Sequence, residues 1–183
     1  MTNDQAAPVA DSGLHLRRSV YALLIVLTAG ITAGRILNTQ LVLEPSLFGP
    51  ADNPGKLRKW PKDPPKAMPT YSSNDRARWA TIRALVDGPG HDAVSRYAIG
   101  KRDPSLITDK NKYGDVGIIF DHPDAWGTID RVLHPERQEF YSSKPPLLPT
   151  ILAGEYWLLQ KLFGWTLVDQ PWEVVRTILF TVN

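Results

Sequence analysis

Asp75 and Arg78 lie three residues apart in the run NDRARWATI, a separation that sets both on one face of a helix. Lys144 opens the run KPPLLP, immediately ahead of a long apolar stretch. A carboxylate and two cations at one surface suit group transfer from a lipid-linked phosphate. The carboxylate takes the proton of an attacking hydroxyl. The cations hold the phosphate and stabilise its growing charge as it leaves. Each residue also has a plainer role. Ser72-x-x-Asp75 is a capping-box pattern, in which the carboxylate only satisfies backbone N–H groups. Arg78 fits a solvated partner of Asp75, and Lys144 an interfacial lysine before a membrane helix.

The elements that must carry these residues divide the chain by polarity. Residues 1–16 are expected to be a disordered cytoplasmic tail, small and polar with little to bury. Arg17 and Arg18 then precede VYALLIVLTAGITAGRIL, Val20 to Leu37, whose one charge is Arg35. Roughly 18 residues at about 1.5 Å each approach the thickness of a bilayer core, so 17–37 is predicted to be a first transmembrane helix. The paired arginines place the N-terminus on the cytoplasmic side. A cleaved signal peptide and a buried core helix are the rivals for this segment.

Residues 38–143 read as a mixed α/β extracytoplasmic loop. WPKDPPKAMP (Trp60–Pro69) is an extended connector. Ser72 or Ser73 caps a helix that carries Trp79, Ile82 and Leu85/Val86 at helical spacing and stops at Gly88-Pro89-Gly90. SRYAI and VGIIF resemble short strands, KNKYGD a turn, and AWGTIDRVL (Ala125–Leu133) a short helix.

At residues 144–168 the apolar character returns, with Tyr156, Trp157, Phe163 and Trp165 of the kind found in interfacial belts. This segment is predicted to be a second span. Glu155 falls near its middle, where a carboxylate costs about 2.5–3.5 kcal/mol unless it faces protein or water, so it is expected to face further helices. Residues 169–183 form a short loop and, from Val174, the start of a third apolar segment. The chain is therefore expected to be the front part of a longer protein.

With 21 basic and 19 acidic residues, net charge +2, the chain lacks the concentrated basic face that nucleic acid requires. The absence of cysteine excludes disulfides and thiolate metal sites. The four histidines show no ligand spacing beyond His122-Pro-Asp124.

The pairing of a DxxRxA helix after the first span with KPPL opening the second resembles the GT-C membrane glycosyltransferases. The nearest groups are the dolichyl-phosphate-mannose protein mannosyltransferase-like proteins and the aminoarabinose transferases. The resemblance covers the motif regions, about a third of the chain. It implies a mainly α integral membrane fold and an inverting transfer of sugar from a polyprenyl-phosphate donor to an acceptor hydroxyl. By that resemblance Asp75 is the catalytic base, while Arg78 and Lys144 bind the donor's phosphate. Two positions depart from the pattern. Arg76 stands where an acidic residue often follows the Asp. Ser143 stands where an acidic residue helps hold a metal in some members, so by the resemblance a divalent metal is a possible cofactor without that ligand. The expected partners are the lipid bilayer and a lipid-linked sugar, with the acceptor undefined. The alternatives are a non-catalytic membrane-anchored protein with an extracytoplasmic interaction domain, and an inactive truncated product.

Overall fold

A computed structural model describes residues 11–39, 48–49, 58–59, 68–70, 72–121 and 126–183. It is about 57% helical, with a small antiparallel sheet. The first ten residues, most of the Trp60–Pro69 connector and the His122-Pro-Asp124 run lie outside the described residues.

The first structural unit is helix α1, Asp11–Asn38. It begins at Asp11 rather than Arg17, so residues 11–16 are helix and not tail. No proline interrupts that turn, and the apolar run behind it propagates the helix backwards at little cost. Asn38 closes it by donating to the Gly34 carbonyl at 2.8 Å. Gly13–Asn38 is long and apolar enough to cross a membrane, with mean hydropathy 1.9 and 6% of its apolar window buried. Among the described residues it is the one helix that meets that test.

The second unit, Thr39–Val182, is built on helices α2 (Ser73–Asp87), α4 (Leu147–Phe163) and α5 (Pro171–Val182). The short helix α3 (Ile118–Asp121) lies against a four-stranded sheet. Strands β1 (Phe48–Gly49) and β2 (Arg58–Lys59) form a separate parallel pair. The sheet has order β4-β3-β6-β5, from β3 (Gly100–Arg102), β4 (Asp115–Val116), β5 (Arg131–Leu133) and β6 (Glu139–Ser142), with every neighbour antiparallel.

Helical periodicity sets the core. Trp79, Ala80, Ile82 and Ala84 of α2 meet Leu152, Ala153 and Tyr156 of α4 and Val174, Val175 and Ile178 of α5, all buried. Burying side chains of this size is worth about 1.5–3 kcal/mol for each Val, Leu or Ile. Tyr156 is fully buried, and its hydroxyl donates to both Asp87 carboxylate oxygens at 2.9 Å while accepting from the Leu167 N–H at 3.0 Å. Asp87 ends α2, and Tyr156 lies well into α4, whereas both helices start beside Asp130. The two therefore run in the same direction.

Several expectations change. The α4 helix stops at Phe163, because Gly164 takes the left-handed conformation (φ +69) and donates to the Gln160 carbonyl. Helix α4 is thus 17 residues, shorter than the 147–168 span expected. Glu155 accepts a hydrogen bond from Thr181 Oγ1 of α5 at 2.6 Å, so its partner lies within this chain. SRYAI is turn, and the strand begins one residue later at Gly100. VGIIF splits at Gly117 (φ +109), where a Cβ would come within 2.7 Å of the Gly100 Cα. Only Gly allows β3 to pass so close. Asp121 Oδ1 accepts from the Gly117 N–H at 3.1 Å and closes α3 in place of a strand. In AWGTIDRVL, Trp126 is helical but Arg131–Leu133 is strand β5; Thr128 and Ile129 are tied to Ser73 of α2. KNKYGD is a turn, tied by Asn111 Oδ1 accepting from Asp115 N and by Gly114 at φ +66.

Candidate functional site

The site grows from the first turn of α2. Ser72 is its N-cap: its hydroxyl accepts from the Asp75 N–H at 3.4 Å and donates to Asp75 Oδ2 at 3.1 Å. The cap is therefore the Ser72 hydroxyl; the Asp75 carboxylate takes no backbone N–H but holds that hydroxyl, which occupies one of its oxygens. The other faces Arg78, whose Nη1 is 3.9 Å from Asp75 Oδ1. Both side chains are more than a third exposed (36% and 39%), so that contact adds well under about 1 kcal/mol to stability. Arg76 lies on the other flank, half-buried. Burial pushes its guanidinium below the usual arginine range, and the Asp75 charge opposes that shift.

A second strut comes from the loop before β5. Thr128 Oγ1 donates to the Ser73 carbonyl at 2.8 Å, and the Ile129 N–H donates to Ser73 Oγ at 3.0 Å. The Asp130 N–H then donates to Thr128 Oγ1 at 3.0 Å. This brace sets Asp130 between the starts of two helices. Its Oδ1 is 2.9 Å from the Lys144 ammonium, in a pair with side chains 26% (Lys144) and 19% (Asp130) exposed. The Ser73 hydroxyl and the Lys144 ammonium hold the Asp130 carboxyl below the usual range. Slight burial works against them, and the charges of Lys144 and Arg78 add to them.

Asp75, Arg78 and Lys144 are therefore brought together, with Asp130 as the link. Asp130 is the site residue that the sequence reasoning missed. Its only signal was an acidic residue in a segment whose apolar residues fitted a helix.

Lys144 also lines a cavity of about 440 Å³ between the start of α4, the β5–β6 hairpin and the loop before β3, together with Tyr97, His134, Arg137, Tyr141 and Ser142. Among the described residues no group of three or more His, Asp or Glu side chains is gathered as a metal would require. No protein-family model, no curated protein and no solved structure matches the chain.

Proposed function

We propose that this chain is part of a membrane glycosyltransferase of the GT-C kind, moving a sugar from a polyprenyl-phosphate donor to an acceptor hydroxyl with inversion. The observation that supports it is the cluster just described, in which a solvent-accessible carboxylate and two cations from segments about seventy residues apart in sequence share one surface. The helix geometry adds to it. Helices α2 and α4 both begin at this cluster, and their N-terminal dipole ends favour an anion there. The apolar, outward-facing Gly13–Asn38 helix supplies the anchor that a lipid-borne donor calls for.

In this reading Asp75 accepts the proton of the acceptor hydroxyl as its oxygen bonds to the anomeric carbon. The bond from that carbon to the phosphate oxygen breaks, and its electron pair stays on the phosphate. Arg78 and Lys144 neutralise the charge so released. An ammonium has three donors. Asp130 takes one from Lys144 and leaves two for phosphate oxygens, so binding the donor does not require the ion pair to break.

The test is Asp75→Asn, assayed for transfer from a radiolabelled polyprenyl-phosphate sugar in membranes. Asn keeps the size and can still accept from Ser72 but cannot take a proton. Loss of a general base costs about 10²–10⁴ in rate, whereas the Ser72 cap is left in place, since the Asp75 N–H it accepts from is backbone. Near-normal turnover in this variant sinks the assignment.

A further inference from the structure

The cavity beside Lys144 carries more cationic chemistry than a donor phosphate at Arg78 and Lys144 uses. Arg137 lines it, is exposed, and pairs with no carboxylate among the described residues. Glu139, a carboxylate whose charge Arg137 favours, is buried and holds other donors. It accepts from the Val94 and Ser95 N–H groups and from the Tyr141 hydroxyl. His134 is fixed in one tautomer: its Nδ1 accepts from the Glu136 and Arg137 N–H groups at 3.3 and 3.2 Å. The neutral ring therefore carries its hydrogen on Nε2, as a donor. Both groups sit on a β5–β6 loop held by the Gln138 N–H donating to the His134 carbonyl at 2.9 Å, with Gln138 at φ +55. The backbone beneath both groups is thus held in place before any ligand arrives.

Two aromatic rings complete the wall, each pinned at its hydroxyl. Tyr141 donates to Glu139, and Tyr97 is 3.0 Å from Thr150 Oγ1 of α4. Fixed amphipathic rings offer flat apolar faces with polar edges, which is the complement of a pyranose. The volume, about 440 Å³, falls within the roughly 300–1,000 Å³ of small-molecule sites.

We infer that this cavity binds an acidic sugar, a monosaccharide bearing a carboxylate or phosphate, with Arg137 and His134 on the acid group and Tyr97 and Tyr141 against the ring. In the transferase reading, on which this last step rests, that sugar belongs to the acceptor, and Lys144 is where the donor site and the acceptor cavity meet.

The experiment is calorimetric titration of the full chain in mild detergent with glucuronate, glucose 6-phosphate, glucose and inorganic phosphate. Both acidic sugars are expected to bind saturably, with glucose and inorganic phosphate at least about tenfold weaker. Arg137→Ala should weaken the acidic sugars about tenfold, the scale of one lost charge-assisted hydrogen bond, and Arg137→Lys should recover part of that. Because the Arg137 side chain is exposed and makes no hydrogen bond among the described residues, its removal should leave the fold intact. Glucose binding as tightly as glucuronate overturns the inference, and so does inorganic phosphate matching glucose 6-phosphate. An Arg137→Ala protein with wild-type affinity overturns it as well. Acidic-sugar binding without any transfer from the lipid donor would overturn the transferase reading and leave the cavity's ligand standing. Transfer without acidic-sugar binding would do the reverse.

Discussion

Breaking the Asp130–Lys144 pair measures how firmly the candidate site is tied together. An exposed ion pair contributes about 0.2–1 kcal/mol, and removing one partner of a fully buried pair costs about 3–5 kcal/mol. With side chains 26% and 19% exposed and a 2.9 Å contact, this pair falls between. A double-mutant cycle of Asp130→Ala, Lys144→Ala and both together should give a coupling of about 1–2 kcal/mol at neutral pH. The assay is urea unfolding followed by tryptophan fluorescence in mild detergent, and Trp79 and Trp126 are buried reporters near the site. The pH dependence has a definite sign. The folded Asp130 carboxyl titrates below its ordinary value, so its contribution is complete above that ordinary range and is lost as pH falls through the folded value. The coupling should therefore shrink in acid, and Asp130→Asn should lose stability less steeply than wild type over that window. A coupling near zero at neutral pH, or one that does not change in acid, refutes the claim that Asp130 joins the two helix starts.

Two further outcomes are expected. Tyr156→Phe should cost about 2–4 kcal/mol in the same unfolding assay, because it strands the Leu167 N–H and removes a bond to the Asp87 carboxylate; a loss under about 0.5 kcal/mol would mean water replaces the hydroxyl. A reporter enzyme fused at Asp103 should show extracytoplasmic activity if Arg17 and Arg18 hold the N-terminus inside, and cytoplasmic behaviour there would remove Asp75 from the side where lipid-linked donors are used.

What the sequence made legible was local. The Ser72 cap, the Gly88 stop and the KNKYGD turn each depend on a few adjacent residues, and each is where it was expected. The elements that were misjudged depend on contacts across the chain. Ile118 and Ile119 suit a strand by composition, but the contact of Gly117 with Gly100 and the capping of α3 by Asp121 decide otherwise. The run Glu139–Ser142 gave no strand signal, because its Glu is buried by bonds from Val94, Ser95 and Tyr141 that periodicity does not show. Glu155 looked unpartnered because its partner, Thr181, lies 26 residues further on.

The same distinction explains how the candidate site was half visible. Asp75, Arg78 and Lys144 sit at helix starts, where capping patterns and proline punctuation mark positions in the sequence. Asp130 sits on a loop whose shape is set by Thr128 and Ser73, 55 residues apart. Without it the two halves of the site have no stated connection; Lys144 would be one more interfacial lysine, and Asp75 one more acid in the first turn of a helix. With it, the plain roles and the chemical ones are compatible. The Ser72 cap fixes one oxygen of Asp75 and leaves the other toward Arg78. The Asp130 pair fixes one donor of Lys144 and leaves two. In both cases the structural bond uses part of the group's capacity and orients the remainder, which is the arrangement a preorganised site requires.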